Sequence, residues 1–216
     1  MDHEELPMIY LARHGETAWS LTGQHTGLTD LPLTESGERN ARRLRHRLSE
    51  LKFSRVFTSP LRRAKRTSEL AGFGLVAEVY PDLVEWNYGD FEGLRTAEIR
   101  EEHPGWELFR DGCPGGESPQ QVAARADRVV NRLRELKGDL LLFSSGHFLR
   151  VLAARWVGIE TYAARSLMLS TASLSALGYE HSQQPAIRLW NETQYLFTIN
   201  NRKTDTNILQ LTEVTR

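Results

Sequence analysis

Residues 8–17 read MIYLARHGET, and the rest of the chain is best understood outward from them. The four apolar residues Met8 to Leu11 have the length and makeup of a buried strand. Arg13-His14-Gly15 follows, setting a fixed positive charge beside an imidazole, with a glycine that lets the backbone turn sharply. In open α/β sheets, ligands bind beyond the carboxyl ends of the strands. A histidine delivered there is placed to act as a nucleophile, and the planar fork of an arginine matches phosphate oxygens. Taken alone, these residues fit equally well an ordinary strand end with a solvated Arg13 and a hydrogen-bonded His14.

Composition narrows the choice. With 216 residues, 40% hydrophobic and 25% charged, the chain has the makeup of a soluble globular protein. A chain of this size buries roughly 70–75% of its unfolded surface, so it needs no metal or disulfide staple. A net charge of −1 argues against broad attraction to nucleic acid or anionic membrane, so neither is expected as a partner. Any anion site must then be a local cluster of cations. The single cysteine, Cys113, leaves no internal disulfide to form, and its glycine-rich surroundings carry no activating pattern. No apolar run approaches about 18 residues. The first residues, MDHEELP, lack the basic and apolar pattern of a signal peptide, and the expectation is a cytoplasmic protein.

Strand and helix signals alternate along the chain. Residues 18–33 read as a loop, and Thr34 as the cap of a helix through GERNARRLRHRLSEL. Arg55 to Thr58 is a second strand, followed by Ser59-Pro60 as cap and first residue of a helix that ends near Gly72. Leu75 to Tyr80 is a third strand. The acidic, aromatic segment 82–93 reads as a loop, and Thr96 to Glu102 as a short helix. DGCPGGESP (111–119) is the strongest loop signal, and Ser118, Pro119 and Gln121 open the helix after it. Leu140 to Phe143 is the most apolar strand, with a helix from about Phe148 to Val157. Strands near Ser173–Tyr179 and Ala186–Trp190 complete a sheet of about six. The alternation implies a mostly parallel, doubly wound sheet covered on both faces. The expected division is one domain over 1–199 and a C-terminal tail over 200–216.

Four chemistry-bearing groups each follow an apolar strand-like run: Arg13 with His14, then Arg63, then Glu85, then Ser145 to His147. In such a sheet these positions converge on one edge. Arg63 near a helix start adds its charge to the backbone N–H groups and dipole there, which suits phosphate. Glu85 lies among Trp86, Tyr88 and Phe91, where a partly desolvated carboxyl can exchange a proton with a reacting oxygen. His25, His103 and His181 show no metal-ligand spacing, and no metal or cofactor is expected.

RHGET (13–17), TSPLRRAKRT (58–67), LVEWNYGDFEG (83–93) and SGHFLR (145–150) resemble, in order, the signatures of the histidine phosphatase superfamily, the phosphoglycerate-mutase-like fold. The resemblance spans residues 8 to about 190. It implies a three-layer α/β/α fold and catalysis through a phosphohistidine without metal. By the same resemblance His14 is the nucleophile, Arg13 and Arg63 bind phosphate, and Glu85 is the proton donor. Thr26-Gly27 matches a substrate-contacting pair, and Ser20 and Tyr88 are further expected substrate contacts.

One position departs from the pattern. Ser145 stands where the family's second catalytic histidine is expected, and His147 resembles the extra histidine of relatives that carry an HGH string. Either Ser145 gives a weaker hydrogen bond to the phosphoryl group, or His147 reaches in, or turnover is poor. Ser20, the string GQHTGLTDLPLT (23–34) and the short interval before SGHFLR resemble the phosphatase branches, including acid and sugar-bisphosphate phosphatases. The expectation is a phosphomonoesterase acting on a small phosphorylated metabolite such as a sugar phosphate. The alternatives are a phosphoglycerate mutase and a weakened phosphate-ligand binding protein. Oligomeric state is open, a homodimer included.

Overall fold

The computed structural model describes residues 6–197, so the expected tail from residue 200 lies outside the described residues. The elements follow in order: β1 (Ile9–Arg13), α1 (Ala18–Thr22), α2 (Glu35–Leu48), β2 (Arg55–Thr58), α3 (Arg62–Leu70), β3 (Ala77–Val79), α4 (Thr96–Glu102) and α5 (Leu108–Asp111). Then come α6 (Pro119–Arg134), β4 (Leu140–Ser144), α7 (Gly146–Trp156), β5 (Leu174–Tyr179) and β6 (Pro185–Glu192). The strands form one sheet in the order β3-β2-β4-β1-β5-β6. β1, β2, β3 and β4 run parallel, β5 is antiparallel to β1, and β6 is antiparallel to β5. The sheet is thus mostly parallel, as the alternation implies, with β5 alone reversed.

Side chains of a strand alternate between faces, so a strand covered on both sides must be apolar throughout. β4 meets this demand, with all five residues buried. Leu140 and Leu142 join Ile9, Leu11 and Leu177 in a core completed by Val122, Val129 and Leu133 of α6 and Phe148, Leu152 and Trp156 of α7. Leu141 and Phe143 face the other way, onto Ala12, Val56, Leu174 and Leu44 and Leu48 of α2. α3 packs beside α2, and α6 beside α7. These two helical layers and the sheet between them make the three-layer α/β/α sandwich.

Register brings the functional ends together. Arg13 pairs with Ser144, and Thr58 with Phe143, so β1, β4 and β2 finish at one edge of the sheet. Two helix starts differ from the sequence reading. Ser59-Pro60 does not open α3: the Ser59 N–H still donates to the Phe143 carbonyl, extending the β2–β4 ladder, and the helix begins at Arg62. α7 starts at Gly146, two residues earlier than Phe148, because its first turn is capped from elsewhere in the chain. Residues 18–33 are not all loop either, since Thr17 and Ser20 cap the short α1 reciprocally. Leu142 is fully buried at the centre of the sheet. Replacing it with Ala should cost about 3 kcal/mol or more of unfolding free energy in a urea titration, as core leucine truncations do.

Candidate active site

His14 leaves the end of β1 with its backbone N–H bonded to the Ser144 carbonyl and its own carbonyl accepting from Ala172 N–H. The backbone is therefore fixed by β4 on one side and by the turn before β5 on the other, before the side chain does anything. The turn after it is tight: a Cβ on Gly15 would come within 2.6 Å of the Gly37 carbonyl oxygen. The ring is buried, and its Nδ1 donates to the Gly15 carbonyl at 2.7 Å. A carbonyl can only accept, so Nδ1 carries the proton and Nε2 keeps its lone pair. Burial, then the charges of Arg63 and Arg13, hold the imidazole pKa well below its usual value. The ring is neutral and nucleophilic at ordinary pH.

The two arginines are held differently. Arg13 donates through Nη1 to the Leu169 carbonyl, and its Nε is buried with no protein partner. The guanidinium lies against the start of α7, where a Cβ on Gly146 would sit 3.0 Å from Arg13 Nε and 3.1 Å from Cζ. Arg63 is fully buried. Its Nη2 donates to the Thr26 and Gly27 carbonyls, and its Nη1 to the Thr29 carbonyl at 3.0 Å. Its Nε also lacks a partner. Burial lowers the pKa of both groups, yet guanidinium remains charged. Two unpaired N–H donors on buried cations form a natural seat for an oxyanion.

Glu85 is buried and ties two elements together. Oε1 accepts from Trp86 N–H (2.9 Å) and Phe148 N–H (2.7 Å), while Oε2 accepts from His147 N–H (3.0 Å). It is Glu85, not Ser145, that caps the exposed N–H groups and positive dipole end of α7. Arg125 of α6 in turn fixes the acid's segment, donating to the Asp82, Val84 and Glu85 carbonyls and pairing with Glu117 at 2.7 Å.

A cavity of about 230 Å³ opens in front of His14. Of the residues singled out in the sequence, Arg13, His14, Ser20, Thr26, Glu85, Tyr88 and His147 reach its wall. Arg63, Gly27 and Ser145 are not among the residues that line it. Gly27 serves the site indirectly: its N–H donates to the Glu92 carboxylate and its carbonyl accepts from Arg63. The Ser145 hydroxyl is buried and has no partner. Ser20 has its hydroxyl engaged with the Thr17 backbone.

The sequence reading missed Gln24, His25, Thr96, Arg150 and Leu169, which also line the cavity. His25 was set aside as a bland histidine because only metal spacing was considered. It is buried against Tyr88, with ring centroids 4.8 Å apart, and burial pushes its pKa down to about 4. Its place directly before Thr26-Gly27 was the available signal. Arg150 donates to the Ala164 and Arg165 carbonyls and stacks over Phe109 at 4.6 Å. Its signal was its place in SGHFLR after the most apolar strand. Burial pushes the Cys113 thiol up to about 12, far from a reactive thiolate. Among the described residues no group of three or more His, Cys, Asp or Glu side chains gathers as a metal site, and no helix is long and apolar enough to cross a membrane.

Comparison with known proteins agrees with this geometry. Residues 9–193 match the family model for the histidine phosphatase superfamily (branch 1). An acid phosphatase of Mycobacterium tuberculosis is 43% identical over 177 residues, covering 80% of this chain and 87% of that protein. Sedoheptulose 1,7-bisphosphatase of Saccharomyces cerevisiae is 38% identical over 186 residues, covering 71% of this chain and 68% of that one. The solved structure of a Mycobacterium tuberculosis open reading frame superposes with a TM-score of 0.83 at 40% identity, covering 87% of this chain and 98% of that one.

The contact between Gly146 and Arg13 gives a direct check. Alanine is a better helix former than glycine, so Gly146→Ala should leave the melting temperature almost unchanged. Its methyl group displaces the Arg13 guanidinium by a few tenths of an ångström, and kcat/KM on a phosphomonoester should fall on the order of 10-fold. Unchanged kcat/KM would mean that the position of Arg13 is not critical.

Proposed function

The chain belongs to branch 1 of the histidine phosphatase superfamily and is an enzyme of phosphatase type, and from that premise we propose that it hydrolyses small phosphomonoesters through a phosphohistidine on His14. The observation that carries this reading is the neutral imidazole of His14, protonated on Nδ1 by its bond to the Gly15 carbonyl and set beside two buried cations. Nε2 attacks phosphorus in line with the leaving alcohol. The P–O ester bond breaks as the N–P bond forms, while Arg13 and Arg63 hold nonbridging oxygens. Phosphoryl transfer asks mainly for positioning and charge stabilisation, which fixed guanidinium groups supply without rearranging.

Glu85 gives a proton to the leaving oxygen and takes one from the water that then displaces phosphate from His14. Oε1 already accepts two N–H bonds and Oε2 one, so Oε2 is the oxygen with a position left for the proton. A phosphorylated sugar fits the rest of the cavity. Gln24, Thr26 and Thr96 offer neutral polar groups along its wall, suited to hydroxyls. The name of the yeast relative, a sugar bisphosphatase, supports the same class.

His14→Ala should lower turnover at least about 10³-fold, measured as phosphate released from a panel of phosphorylated sugars and sugar acids. Residual activity near the starting level would remove His14 from the mechanism. The pH profile follows from the depressed imidazole pKa. A lowered pKa keeps His14 unprotonated as pH falls through 6.5, so kcat/KM, corrected for the substrate's own ionisation, should hold or rise from pH 7.5 to 5.5. A loss with a midpoint near 6.5, or an optimum well above pH 8, would contradict the assignment.

A further inference from the structure

The Ser145 hydroxyl does not reach the cavity, whereas the His147 ring, two residues on, does. That ring is held from several sides. Its backbone N–H donates to Glu85 Oε2, and its Nδ1 lies 2.5 Å from the Tyr88 hydroxyl. Phe109 packs edge-on at 5.4 Å between centroids, and His25 lies at 5.9 Å. Tyr88 is itself almost completely buried, with its ring against His25. Through these contacts His147 is fastened twice to the segment that carries the proton-transferring acid, once by Glu85 and once by Tyr88.

Resting on the phosphoryl-transfer reading above, we propose that Tyr88 is a positioning residue: its phenol donates to His147 Nδ1 and so fixes the ring with the proton on Nε2, aimed into the cavity as the neutral donor that position 145 does not supply. The protonation states of both partners allow this arrangement. Burial, reinforced by the nearby Glu85 charge, keeps the phenol pKa well above its usual value, so the hydroxyl keeps a proton to donate. Burial, then Arg150, His25 and Arg13, hold the His147 pKa well below its usual value, so the ring carries a single proton. When one ring nitrogen accepts, the other must carry that proton. With Nδ1 accepting from Tyr88, Nε2–H donates to a phosphoryl or leaving-group oxygen, where the bond strengthens as charge develops.

The test compares Tyr88→Phe in two backgrounds. In the otherwise unaltered enzyme it should lower kcat about 10-fold, with a smaller change in KM, because a donor is loosened rather than removed. In a His147→Gln background the side-chain amide always carries N–H and needs no tautomer. There the same Tyr88→Phe change should cost about 2-fold or less. Nitrogen NMR of the ¹⁵N-histidine-labelled enzyme should show His147 as the Nε2–H tautomer, and a mixture or a shifted Nδ1 resonance in Tyr88→Phe. An equal loss in both backgrounds, or Nδ1–H in the unaltered protein, would overturn the proposal and leave Tyr88 a packing residue. The NMR readout does not depend on turnover. If it fails while His14 still becomes phosphorylated, only this proposal fails; if no phosphoenzyme forms, the mechanism beneath it fails.

Discussion

A buried imidazole beside two buried guanidinium groups cannot afford a positive charge of its own, and the rest of the site follows from that constraint. Three cations packed together out of water would be held apart by repulsion with nothing to screen it. His14 answers by staying neutral, which also leaves a lone pair on Nε2. Arg13 and Arg63 meet their own burial cost by donating to carbonyls of residues 169 and 26–29, which spends part of each fork and leaves each Nε free. The same bonds fold the 26–29 segment around Arg63. The burial of Arg63 and the structure of that loop thus share one set of hydrogen bonds.

Glu85 plays the complementary part. Its carboxylate closes the first turn of α7 from 62 residues earlier in the chain, and Arg125 clamps its segment through three carbonyls. A carboxyl group held by three backbone N–H groups has little rotational freedom, so its orientation is set before anything binds. α7 needs no side-chain cap of its own, and Ser145 in the cap position makes no such bond. Position 145 is therefore released from a duty at the helix start. Serine there has an unpartnered hydroxyl, and the helix starts intact.

Much of this was legible in the chain. β1 and β4 were plain because a strand covered on both faces must be apolar at consecutive positions, as Leu140 to Phe143 are. The helix over 119–134 was equally clear, since Ser118, Pro119 and Gln121 form a local cap that the structure retains. The convergence of Arg13, His14 and Glu85 followed from the strand ends. What stayed hidden depended on contacts between distant segments. The start of α7 was misplaced because its cap is Glu85. Arg63 was expected to bind phosphate, but nothing near it in the chain shows that it also binds the carbonyls of 26–29. His25 and Arg150 were overlooked because nothing in their local sequence says which cavity they border. No periodicity could reveal that the Tyr88 hydroxyl meets His147.

The most direct measurement is where phosphate lands when the enzyme is quenched during turnover of a good phosphomonoester. The bond from His14 Nδ1 to the Gly15 carbonyl leaves only Nε2 free to attack. Mass spectrometry and ³¹P NMR of the denatured, base-stabilised protein should therefore show one acid-labile phosphate, on His14 and attached to Nε2. Phosphate on Nδ1, on another residue, or absent from a protein that is turning over would contradict the account at its centre.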